Sequence, residues 1–194
     1  MIENAMYVKR RKRLFGLMKD NSIALIESAP EKIRNNDSTY RYRQCSNFYY
    51  LTGYDKPSAL LVVLKKNKKL VTHFFTKKPN KHDEVWTGQL PTSAKTKNLY
   101  GFDKCSYLND IEKYLIFYLK NTKTIYHAWN NNTESKLIFD SCLHKLGEKY
   151  RSGTEIPSEF FSLKKIVHKL RLIKDKSEID LIRAAGQISS LAHI

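Results

Sequence analysis

The sequence predicts a layered α/β domain built on a mixed sheet, and three observations carry that prediction. Strand-length apolar runs alternate with stretches of helical periodicity along most of the chain. The runs Ala59–Leu64 and Leu70–Phe75 are separated only by a short polar turn, so they form an antiparallel hairpin and the sheet is not purely parallel. The chain has 194 residues, 41% of them hydrophobic, enough for one substantial core and the start of a second unit.

In chain order, Tyr7–Met18 reads as a helix. Leu14, Leu17 and Met18 fall at helical spacing on its inner face, and the basic run Lys9–Arg13 is assigned to the solvated face. Ile23–Ile26 is a short buried strand ended by Pro30, and Asn35–Ser38 is a polar loop. Phe48–Leu51 is aromatic and reads as a strand stopped by Gly53. The two hairpin strands follow, with Asn67 and its lysine neighbours supplying the turn. Asn109–Lys120 is an amphipathic helix that places Ile111, Tyr114, Leu115 and Tyr118 on one face. Thr124–His127 is a strand. Thr133 caps a helix over Glu134–Leu146, and Gly147 closes it. Asp175 then stands three residues before Glu178, a variant of the capping box, and opens a helix that runs to the end. Its apolar stripe is Leu181, Ala184, Ala185, Ile188, Leu191 and Ala192, and no later segment is available to cover it.

Composition narrows the function classes. The longest apolar runs are too short to cross a bilayer, and the first residues lack the basic start and apolar core of a secretory signal. Cys45, Cys105 and Cys142 are odd in number and far apart, which suits reduced thiols in a cytoplasmic protein. The net charge is +16, but the lysines are spread over the whole chain. A basic balance alone is a non-specific signal, so a basic nucleic-acid-binding domain is kept only as a third reading. No nucleic-acid or membrane partner is assigned. The sequence contains no phosphate-binding loop, no nucleophile elbow and no paired cysteine motif. His73, His82, His127 and His168 lack metal-ligand spacing and are assigned structural roles.

The most informative stretch is Asp37-Ser-Thr-Tyr-Arg-Tyr-Arg-Gln-Cys-Ser-Asn-Phe-Tyr-Tyr-Leu-Thr-Gly-Tyr54. With Arg10-Arg11, Ala29-Pro30-Glu31, Glu84-Val-Trp86, and Val167-His168 followed by Leu170-Arg-Leu-Ile-Lys174, it resembles the Xaa-Pro aminopeptidase (aminopeptidase P) family over nearly the whole chain. Residues 1–168 resemble the family's amino-terminal domain. Residues 169–194 resemble the linker and first helix of its "pita-bread" metallopeptidase domain. The resemblance implies a three-layer α/β/α domain with a mixed sheet. It also implies a hydrolase that releases the first residue from peptides with proline second, using two divalent metals, commonly manganese, in the carboxy-terminal domain. The family's metal ligands lie beyond the first pita-bread helix, and this chain has no matching positions. The chain alone is therefore expected to hold no metal and no catalytic residue, to be inactive, and to partner with a catalytic domain and with further copies of itself. A prolidase-type dipeptidase fragment and a stand-alone interaction module without catalysis are the alternatives.

Three residues match positions by which the family's amino-terminal domain reaches a substrate pocket. Asp37 offers a carboxylate to a substrate amine or an arginine, or else serves a local turn. Trp86 walls a pocket against a proline ring, or else fills core. Arg151 meets a carboxylate, or else is solvated. Tyr42, Arg43, Gln44 and the rings Phe48–Tyr50 read as architecture, with Arg43 as a half-buried anchor between loop and sheet.

Overall fold

The computed structural model describes residues 4–82, 85, 88–128, 133–148 and 153–193, and for 133–135 the backbone alone. In chain order the elements are α1 (Asn4–Leu17), β1 (Ser22–Glu27), β2 (Ile33–Asn35), β3 (Ser38–Thr39), α2 (Ser46–Thr52), β4 (Ala59–Lys66) and β5 (Lys69–Thr76). They continue with α3 (Ser93–Tyr100), β6 (Lys104–Tyr107), a 3-10 turn (Leu108–Asp110), α4 (Ile111–Leu119), β7 (Thr124–His127), α5 (Thr133–Gly147), β8 (Glu159–Ser162), α6 (Leu163–Leu172) and α7 (Lys176–Leu191).

Six strands make one mixed sheet in the order β6-β5-β4-β1-β7-β8. β4 pairs antiparallel with both β1 and β5, while β5/β6, β1/β7 and β7/β8 are parallel. The hairpin predicted from the two apolar runs is present, eight residues on each side, turning through Asn67 and Lys68 at positive φ. Successive side chains leave a strand on opposite faces, and here both faces are covered. Ala24, Ile26, Leu61, Val63 and Phe74 enter one core; Ile23, Leu25, Leu60, Val62 and Phe75 enter the other. Helices α1, α2, α3 and α6 cover the first face, and the pair α4 and α5 covers the second. The result is the expected three-layer α/β/α arrangement with a mixed sheet.

Two local expectations are corrected. Phe48–Leu51 is not a strand but the body of helix α2, whose buried residues are Phe48, Tyr50, Leu51 and Thr52. A run of four apolar residues does not by itself tell a strand from a helix. Gly53 ends α2 at φ +70°, donating its N–H to the Tyr49 carbonyl at 2.8 Å. A Cβ there would sit 2.6 Å from the Tyr7 ring, so only glycine lets α1 and α2 approach this closely.

The second correction concerns α1. Its basic run is not all solvated: Arg10 and Arg11 are only 3% and 1% exposed, while Leu17 faces solvent. Tyr7, Arg11, Leu14 and Met18 recur at the spacing of a buried stripe, and the arginine occupies a stripe position because it has work there. Arg11 donates to the Leu51 carbonyl at 2.9 Å and to the Tyr100 and Gly101 carbonyls at 2.7 and 2.8 Å. One guanidinium thus satisfies the carboxyl ends of α2 and α3, where backbone carbonyls lack helical partners. Burial lowers its pKa to about 10, opposed by Asp103, and it stays charged at neutral pH.

The last helix, α7, begins with the predicted capping box. Asp175 accepts from the Glu178 amide at 3.0 Å, and Glu178 accepts from the Asp175 amide at 3.0 Å. Arg10 reaches across from α1 to Asp175 at 3.0 Å and Glu178 at 3.5 Å, with its guanidinium over the Tyr50 ring. No residue of α7 is buried. The predicted cap of α5 falls on Thr133, whose side chain lies outside the described residues.

Candidate functional site

The Asp37 segment, predicted as a loop, is the tip of a small hairpin. β2 and β3 pair with each other and not with the main sheet, with Asn35 opposite Ser38 and Asn36 at φ +45° in the turn. Every residue from Glu31 to Arg41 is exposed, Ile33 and Tyr40 included. A two-stranded ribbon has little stability of its own, so its base must be held. The Tyr40 amide donates to the Lys32 carbonyl at 2.9 Å. The Tyr42 hydroxyl donates to the Ala29 carbonyl at 3.0 Å.

Gln44 closes the base. Its side-chain oxygen accepts from the amides of Ala29 at 2.7 Å and Cys45 at 2.9 Å. Its nitrogen donates to the carbonyls of Tyr54 at 3.3 Å and Lys56 at 2.9 Å. A single amide therefore pins the strand of the hairpin that enters α2 against the strand that leaves β1. The expectation of an architectural role holds for Tyr42 and Gln44. It fails for Arg43, which is exposed: its neighbours in the chain turn inward to make the hydrogen bonds, and the alternation of an extended segment turns Arg43 outward. Asp37 stands about as far from the sheet as this hairpin allows. Trp86 and Arg151 lie outside the described residues.

The histidines are structural where the geometry is clear. His73 Nδ1 lies 2.8 Å from the Tyr118 hydroxyl and Nε2 2.9 Å from Ser106 Oγ. Burial lowers its pKa to about 4, helped by Lys104, so the ring is neutral at physiological pH. His127 Nε2 lies 2.9 Å from Glu27 Oε1, joining the ends of β7 and β1. Among the described residues no three His, Cys, Asp or Glu side chains come together in a way that could hold a metal ion. The donor set that a divalent metal pair would need is not assembled by these residues. Among them, too, no helix is long and apolar enough to cross a membrane.

Comparison with known families decides the lineage. The family model described as "Aminopeptidase P, N-terminal domain" matches residues 7–126, which takes in α1, the hairpin, α2 and the sheet from β1 to β7. The chain belongs to this family. The Xaa-Pro aminopeptidase of Escherichia coli is 32% identical over 191 residues, covering 96% of this chain and 43% of that protein. The Xaa-Pro aminopeptidase of Haemophilus influenzae is 31% identical, covering 97% of this chain and 41% of that protein. Among solved structures, the low-pH form of E. coli aminopeptidase P superposes with a TM-score of 0.95 at 31% identity. It covers all of this chain and 44% of that one. The chain thus spans less than half the length of the relatives it matches. As an aminopeptidase P amino-terminal domain, it carries the mixed sheet between two helical layers that the sequence motifs pointed to.

Proposed function

We propose that the chain serves as the non-catalytic amino-terminal domain of a proline-specific metallo-aminopeptidase, an enzyme that removes the first residue from peptides with proline second. The observation that carries this is the Asp37 hairpin. It is exposed, anchored at its base by Gln44 and Tyr42, and tipped by a carboxylate that makes no hydrogen bond or ion pair among the described residues. Such an arm suits contact with a substrate or a neighbouring subunit. Asp37, Trp86 and Arg151 are assigned to the substrate side, with Asp37 holding the peptide's amine or a partner's arginine. The names of the relatives favour an aminopeptidase over a dipeptidase.

The division into 1–168 and 169–194 belongs to the same proposal. It is supported by the contrast between α6, which sends Leu163, Val167 and Leu170 into the core, and α7, which buries nothing. A few residues after His168 still belong to the first unit's packing. Two divalent ions, manganese in the family reading, would be held by a companion domain, and no step of the chemistry is assigned to side chains described here. Cytoplasmic residence and homo-oligomeric assembly complete the reading.

The test joins this chain, after α7, to the remainder of the E. coli enzyme and measures turnover of an Xaa-Pro-Xaa peptide with manganese. The 194-residue chain alone should show none. Asp37→Asn in the chimera should lower kcat/KM at least tenfold with the fold intact. Proline-specific turnover by the chain alone, or an unchanged kcat/KM in the Asp37 variant, would sink the proposal.

A further inference from the structure

The base of the hairpin encloses a feature that the arm's tip does not explain. A cleft of about 390 Å³ lies between the strand leaving β1 and the strand entering α2, lined among others by Lys32, Tyr40, Arg41, Tyr42, Arg43 and Gln44. Along residues 41–44 exposure alternates: Arg41 and Arg43 are exposed, Tyr42 and Gln44 partly buried. The two inward side chains make the fastening hydrogen bonds already described. The two arginines, two residues apart, therefore leave the chain on one side, roughly 6.5–7 Å from each other in an extended segment. Lys32 adds a third cation from the opposite wall. Among the described residues, none of Lys32, Arg41 and Arg43 has an ion pair or side-chain hydrogen bond.

Three free cations on a fastened backbone require an explanation beyond solubility. Surface arginines near acids normally find partners, and the acid felt at Tyr42 is Glu31. The Tyr42 phenol is pushed up to about 12, chiefly by burial and then by Glu31, so it adds no negative charge. The volume sets the ligand's size. A water molecule occupies about 30 Å³ of liquid, so a bare inorganic anion would leave most of the cleft empty. Pockets for small organic ligands begin at about 300 Å³. The ring of Tyr40, 58% exposed at the rim, supplies an apolar surface for the rest of such a ligand.

We infer that this cleft binds the carboxylate end of a short peptide, with Arg41 and Arg43 as a two-pronged clamp, Lys32 as a supporting charge and Tyr40 packing on the peptide backbone. Guanidinium groups match carboxylates in bidentate geometry and donate charge-assisted hydrogen bonds. Because Gln44 fixes the backbone beforehand, little ordering is left for the ligand to impose. The site goes beyond the peptidase reading and borrows from it only the identity of the ligand as a peptide. A short peptide held by its carboxylate here would be presented from the same arm that carries Asp37.

The test is a binding measurement on the full chain and needs no turnover, so its failure and that of the peptidase reading are separate. Amide NMR spectra are followed while adding the tripeptide Ala-Pro-Ala, its carboxamide, or sodium phosphate. The free acid should give saturable shifts confined to residues 29–46, weakening as salt is raised. The carboxamide, and the double variant Arg41→Gln/Arg43→Gln, should bind at least tenfold more weakly. Both arginines are exposed and unbonded, so the variant keeps its fold, which the same spectra verify. The inference is overturned if no saturable shifts appear there, if the carboxamide binds equally, if the double variant binds as well as the parent, or if phosphate matches the tripeptide.

Discussion

Arg11 shows how one side chain can join three elements. It projects from α1, lies over the Phe102 ring at 4.5 Å, and occupies carbonyls at the ends of α2 and α3. A buried acceptor left without a donor costs about 1–3 kcal/mol, and three would be exposed together by its removal. Arg11→Met, similar in reach but without donors, should therefore destabilise the fold by about 3 kcal/mol or more. Arg11→Lys, which keeps the charge but loses the fork, should cost less. Urea unfolding followed by circular dichroism reads both. If Arg11→Met were as stable as the parent, the guanidinium would be packing rather than holding the helix ends. Arg10, one position earlier, donates to the Tyr50 carbonyl and to Asp175, so adjacent arginines tie α1 to different segments of the chain.

At the scale of an element, α7 depends on its first turn. No apolar side chain of the helix is buried, and a single helix of this length is marginal in water. What holds it is the capping box together with Arg10. Burial pushes the Asp175 carboxyl up, but hydrogen bonds from Ser177 and the Glu178 amide, with Arg10, outweigh that and leave it at about 2. A carboxyl held below its ordinary value of 3.8 contributes stability that is complete above that pH and is lost as pH falls toward 2. Asp175→Ala removes the cap, a loss of about 1 kcal/mol. Hydrogen-exchange protection at Glu178 and Ile179 should fall about fivefold in the variant. In the parent it should fall in the same direction as pH drops from about 4 to 2. Protection unaffected by either change would mean that α7 is held by something other than its cap.

The whole molecule is a sheet clad on both sides, and its stability should be graded accordingly. β1, β4 and β5 form the antiparallel centre, and most of their apolar side chains are fully buried. Opening them requires breaking both cores at once, whereas the hairpin and α7 open without exposing either. Native-state hydrogen exchange should find the slowest amides in Ile23–Ile26, Ala59–Leu64 and Leu70–Phe75, with α7 and β2–β3 exchanging first. Protection in α7 equal to that of β1 would show that the helix folds as part of the same unit.

Much of this was legible in the chain itself, wherever local pattern and local chemistry agree. Apolar and β-branched runs bounded by turn residues located β1, β4, β5 and β7, because a strand covered on both faces is mostly apolar, and the few polar side chains buried there, such as His73 and His127, find hydrogen-bond partners. The capping box at Asp175 and the amphipathic pattern of α4 were equally local. The Asp37–Tyr54 motif pointed to the family that the residues 7–126 match confirmed. Tertiary structure alone decided the rest. Phe48–Leu51 is helical and packs its buried side chains against α1 and the sheet, an environment that four apolar residues in a row do not disclose. Arg10 and Arg11 are buried because the carbonyls and carboxylates that need them come from segments 40 to 165 residues away. Arg43 is outside because Gln44 and Tyr42 are inside. A buried charge or a turned-out arginine is determined by partners that meet only after folding, and local periodicity does not reveal them.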